Sequence, residues 1–138
     1  MPGKLAHEWL KSALADIKSM EHIGHDSFLT HMVAFHAQQC VEKSLKALLE
    51  HHEKTVPKEH STIRLAGLCR EIVAWSFDMD LLSDLDDLYI ESRYPGDLGL
   101  MPHGKPSMEE SREFCQFARA LFERVCDYLR VTGSELAR

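Results

Sequence analysis

Five polar side chains fall on one face of a single predicted helix: His36, Gln39, Lys43, Lys46 and Glu50 recur at intervals of three and four,. Two lysines in the middle of such a stripe can line a groove with a positive centre, suited to a phosphate or a carboxylate. The same spacing also describes a solvated helix face on which Glu42 pairs with Lys46 one turn later. A second group lies in the run Glu91-Ser92-Arg93-Tyr94-Pro95-Gly96-Asp97. Pro95 restricts Tyr94 to extended backbone, so a helix should stop near Arg93. An arginine and an aromatic ring then stand at a helix end, where they can stack on a base and contact a phosphate. The alternative is a loop anchor, with Tyr94 packed down and Arg93 paired to Glu91 or to a helix C-terminus.

Other chemistries lack their motifs. The histidines form neither Glu-x-x-His nor His-Glu-x-x-His,. His22 and His25 straddle Gly24, and His31 and His36 point about 140° apart on a helix. No metal site and no cofactor is expected. Phosphate-binding glycine loops and a Gly-x-Ser-x-Gly elbow are absent,. Cys40, Cys69, Cys115 and Cys126 are scattered through apolar helical patterns and read as inert packing residues,. The acidic segment Asp78, Asp80, Asp84, Asp86, Asp87, Glu91 does not match a calcium loop,. It reads as a solvated face helped by the helix dipole. No catalytic residue is assigned.

The elements that must position these residues are helical. Leu10, Ala13, Leu14, Ile17 and Met20 make one stripe of a first helix over 5–22, closed by Gly24,. A second helix over 28–52, with Asp26 or Ser27 as cap, is apolar around so much of its girth that it should be central or buried again in a dimer,. A short third helix is expected over 61–75 and a fourth over 80–92, capped by Asp80. Residues 93–106 hold three prolines and three glycines and read as a loop,. Ser107-Met108-Glu109-Glu110 is a capping box that opens the last helix, which Gly133 should end, with a frayed tail after Thr132,. The expectation is an all-α protein in a single domain over residues 1–138, with its core at about 5–131.

Composition sets the outer limits. At 138 residues the chain can bury a core without disulfides or metal,. A net charge of −6 argues against broad DNA binding, which draws most of its affinity from a basic excess,. No apolar run approaches the roughly 20 residues that span a bilayer, and none resembles a signal peptide. A cytoplasmic protein with no membrane partner is expected.

Three stretches taken together resemble a known family. They are residues 35–49 (FHAQQCVEKSLKALL), His60-Ser61 leading to Leu65, and Tyr89 through Arg93-Tyr94-Pro95. With Trp9 and Ala13 in the first helix and the closing amphipathic helix, they are similar to the HEPN domain over about residues 6–129. The resemblance implies an up-and-down bundle of four long helices plus one short helix, often a homodimer. It also implies nucleotide handling. Bacterial members often accompany a minimal nucleotidyltransferase, sometimes as toxin–antitoxin-like pairs, and are thought to help bind its substrate. On that analogy the ligand-binding residues are Gln39, Lys43, Lys46, Arg93 and Tyr94, the ligand is a nucleotide or other anionic small molecule, and His60 matches a family histidine. Other members are ribonuclease toxins with an arginine four to six residues before a histidine. No arginine here has that spacing; the nearest pair, Arg93 and His103, has nine residues between. The reading is therefore an accessory binding protein. The alternatives are a ribonuclease or a pure oligomeric assembly protein.

Overall fold

In a computed structural model of the chain, residues 3–91 and 104–138 are described. They form α1 (Lys4–Ile23), a 3₁₀ turn (Ser27–Leu29), α2 (Thr30–His51), α3 (Thr62–Cys69), α4 (Met79–Glu91), α5 (Met108–Leu129) and a last short turn of helix, α6 (Gly133–Leu136). Contacts fix the directions. Asp16 meets His36 while Trp9 meets Lys46, so α1 runs antiparallel to α2. Tyr89 meets Phe35 while Asp86 meets Gln38, so α4 is antiparallel to α2 as well. Cys40 donates to the Ala118 carbonyl and His52 meets Tyr128, so α5 runs parallel to α2. The result is an up-and-down bundle of four long helices with α3 inserted in the α2–α4 connection.

The central helix is α2. Val33, Ala34, Ala37, Cys40, Val41, Leu45, Ala47, Leu48 and Leu49 are all buried. Its alanines and Ser44 let neighbouring helices approach closely, because close packing tolerates few voids. Leu10, Ala13, Ile17 and Met20 of α1 cover one side, and Phe114, Ala118, Leu121 and Val125 of α5 another. Leu65 of α3 and Leu82, Leu85 and Leu88 of α4 close the third.

Several boundaries differ from the sequence reading for identifiable reasons. The start near Phe28 is a 3₁₀ turn capped by Asp26, which accepts from the Phe28 amide. Helix α3 stops at Cys69 rather than at Trp75, and the chain turns so that Trp75 packs edge-on against Tyr128 beneath the Arg124 guanidinium. Asp78 caps α4 by accepting from the Leu81 amide, a role expected of Asp80. The Ser107–Glu110 capping box forms as read. Helix α5 ends at Leu129, ahead of Gly133. Arg130 adopts the left-handed conformation (φ 60°), and the Val131 amide reaches back to the Cys126 carbonyl at 2.9 Å,. The tail is not frayed. Thr132 caps α6, Leu136 is buried, and Lys11 of α1 donates to the Arg138 carbonyl.

The acidic segment is also not a purely solvated face. Asp86 turns inward to the start of α3 and accepts from the Thr62 amide (2.9 Å), the Ile63 amide (3.2 Å), the Thr62 hydroxyl (2.7 Å) and the Ser61 hydroxyl (3.1 Å). A carboxylate at that position satisfies free amides and complements the positive end of the helix. Replacing Asp86 with Ala should cost about 2–3 kcal/mol in urea denaturation. Asp87→Ala, at an exposed neighbour, should stay within about 0.5 kcal/mol. Equal effects would remove Asp86 from this role.

The thiols behave as core groups. Burial pushes Cys69 and Cys126 up to about 12 and raises Cys40 and Cys115 as well. Folded protein at pH 8 should therefore react slowly with a disulfide reagent at all four sulfurs, and completely once unfolded. Fast stoichiometric labelling of the native protein would contradict this.

Candidate functional site

Asp16 sits inside the apolar stripe of α1, between Ala13 and Met20, so the helix carries its carboxylate into the seam with α2. There it accepts from His36 Nδ1 on one oxygen and from Lys43 Nζ on the other, each at 2.8 Å. His36 and Lys43 lie two turns apart on the same side of α2, which is why one carboxylate serves both.

A second carboxylate repeats the arrangement on the opposite flank. Glu42 Oε2 pairs with Lys46 Nζ at 3.1 Å. Its Oε1 accepts from His60 Nδ1 at 3.1 Å and from Gln39 Nε2 at 3.4 Å. The Glu42 and Lys46 side chains are 5 % and 6 % exposed, whereas His60 is 57 % exposed. Lys46 also lies 5.2 Å from the centre of the Trp9 ring, a cation–π contact that closes its outer side,. Gln38, fully buried beside them, donates to the His60 carbonyl at 2.6 Å and to Asp86 at 3.4 Å, and accepts from Gln39 at 2.8 Å. The backbone ahead of α3 is thereby tied to both α2 and α4.

Rings fill the space between the two carboxylate groups. Phe35 stacks on Tyr89 with centroids 5.8 Å apart, Tyr89 lies 5.5 Å from His60, and Phe35 meets His36 edge-on at 5.3 Å. Because a carboxylate only accepts, Nδ1 of both His36 and His60 carries the proton. In the neutral ring Nε2 is then a lone pair. Burial and the nearby Lys105 charge push His31 below its ordinary value, and burial with the neighbouring His52 does the same to His51.

Of the residues singled out by spacing, Gln39 and Lys43 are half-buried on this face and Lys46 is buried beneath it. The lysines do not form a groove with a positive centre. Asp16 and Glu42 match them one for one. The Glu42–Lys46 pair is present, but inside the protein rather than on a solvated face. Arg93, Tyr94 and His103 lie outside the described residues. Spacing alone missed Asp16, Gln38 and Asp86. The signal was there for the first two: each is a polar residue at a position where helical periodicity demands an apolar one,. Among the described residues no three His, Cys, Asp or Glu side chains gather into a metal site, and no helix is long and apolar enough to cross a membrane.

The bundle and the motifs along α2 and the start of α3 define an all-helical domain of known type. The family model of the HEPN domain matches residues 6–130, and the chain belongs to that family. No curated protein and no solved structure matches it.

The buried pair has a measurable signature. Lys46→Met should destabilise the protein by roughly 3–5 kcal/mol, because Glu42 would stay buried without its cation. Adding Glu42→Gln should recover most of that loss, since the amide oxygen still accepts from His60. A double variant no more stable than Lys46→Met, measured by urea denaturation, would show that the pair is not what holds this seam.

Proposed function

We propose that this protein is a nucleotide-handling accessory subunit, binding its ligand on the outer face of α2 between α1 and the α3–α4 pair. The observation that carries the reading is a pre-organised polar face on a HEPN domain, in which His36, Gln39 and His60 are oriented by buried partners. Rigid positioning of this kind lowers the cost of ordering side chains on binding. Gln39 and Lys43 face the ligand, and Lys46 supports Glu42 from within. Arg93 and Tyr94, just beyond α4, are assigned to the same site by the family resemblance. The protein acts as a homodimer, beside a minimal nucleotidyltransferase whose substrate it helps hold. A nucleotide or other anionic small molecule is the ligand class in this reading.

Thermal unfolding with ATP, GTP, CTP and UTP, each supplied separately, tests it. A ligand of the folded state at a hundredfold excess over its Kd adds about 2.7 kcal/mol of stability. A rise in Tm that is lost in Gln39→Ala and Lys43→Ala variants is the expected result. No rise with any of the four, alone or with the nucleotidyltransferase, would overturn the reading.

A further inference from the structure

We infer that this face recognises the neutral ribonucleoside part of its ligand, through hydroxyl and amine donors, rather than the phosphates. The inference rests on the nucleotide reading above and deepens it.

Charge comes first. The ionised groups that build the face are Asp16, Lys43, Glu42 and Lys46, two negative and two positive, each lysine in contact with a carboxylate. Around His60 the balance is more acidic, because Asp86 lies across Gln38 and Glu59 accepts from the His60 amide; Arg64 partly offsets Glu59. Among the described residues a phosphate brought here meets no net positive charge, and adding Arg93, which the family resemblance assigns to the site, only offsets the acidic excess around His60. Lys43 would have to leave Asp16, and Lys46 would have to leave both Glu42 and the Trp9 ring. Separating a buried pair leaves an uncompensated carboxylate, which is strongly unfavourable.

Hydrogen-bonding polarity comes second. Glu42 fixes the proton of His60 on Nδ1, and Asp16 does the same for His36. The Nε2 atom of each ring has no partner among the described residues and is an acceptor when the ring is neutral. Gln39 spends both amide hydrogens on Gln38 Oε1 and Glu42 Oε1. A flipped amide would set oxygen against two oxygens, so its Oε1 is the atom left over, a third acceptor. Gln39 and His60 share one Glu42 oxygen, and His36 lies one turn earlier on α2. Three acceptors on one face without net positive charge select a ligand rich in O–H and N–H groups. Ribose hydroxyls and the exocyclic amines of bases supply them, and phosphate oxygens do not.

Calorimetric titration of the full chain with adenosine, ATP and 2′,3′-dideoxyadenosine at low and high salt tests this. Adenosine should bind within about threefold of ATP, and affinity should change little with salt, unlike a phosphate-dominated contact. Dideoxyadenosine should bind roughly three- to tenfold more weakly, the usual value of one or two hydrogen bonds. His60→Asn keeps an N–H donor for Glu42 but removes Nε2. It should retain the wild-type Tm while weakening adenosine by a similar factor. ATP binding without adenosine binding, or a steep loss of affinity with salt, would overturn this inference and leave the nucleotide reading intact. Equal binding of adenosine and its dideoxy form, or an unaffected His60→Asn variant, would also overturn it. No binding of any of the three would overturn this inference, and the nucleotide reading is then decided by GTP, CTP and UTP, alone and with the nucleotidyltransferase.

Discussion

A helix packed on three sides cannot carry a charge without also carrying its partner. That constraint governs this protein. Helix α2 is buried along almost its whole length, yet its sequence holds Gln38, Glu42, Lys43 and Lys46. Desolvating these groups is tolerable only where each meets a complementary atom at good geometry. Asp16 is supplied by α1, His60 by the segment before α3, and Asp86 by α4. Each neighbouring element on this side of the bundle is therefore attached to α2 by a specific polar contact as well as by apolar packing. Apolar surfaces slide in register at small cost, whereas a carboxylate between a lysine and a histidine does not.

This explains what the sequence disclosed and what it withheld. Four long helices and a short one follow from the periodicity of leucine, alanine and valine and from a capping box at Ser107, because those signals are local. The end of α5 was obscured because Arg130 takes a left-handed backbone normally left to glycine, while Gly133 opens a further helical turn. The polar stripe from His36 to Glu50 was visible. The Glu42–Lys46 pairing was visible in its spacing too, but its burial was not, and the acid that neutralises Lys43 comes from Asp16, twenty residues before His36. Asp86 was hidden in a run of aspartates, of which Asp78, Asp80 and Asp87 are exposed. Local pattern identifies a helix face, and only the fold says which side chain from elsewhere meets it.

Membership of the HEPN family joins this arrangement to nucleotide-related chemistry. Its physical content here is a face whose orientation is built in. The imidazoles are held from behind, the glutamine amide has its direction fixed, and the rings of Phe35 and Tyr89 stack beside them. On the proposed binding role, such a surface would discriminate by direction of hydrogen bonding, which net charge alone cannot provide.

The antiparallel pairing of α1 with α2 has a consequence for the order of assembly. These two helices are joined by the shortest connection among the long helices and share an extensive apolar seam, so closing that hairpin costs little chain entropy,. Low sequence separation favours early contact formation. The anchorage of α3 by Asp86 and Gln38 spans more chain and needs α2 and α4 already in place. This ordering makes α1–α2 the expected nucleus and the rest later attachments. Weakening the Asp86 contacts should then act on the rate of unfolding, while damage to the α1–α2 seam should slow the approach to the native state.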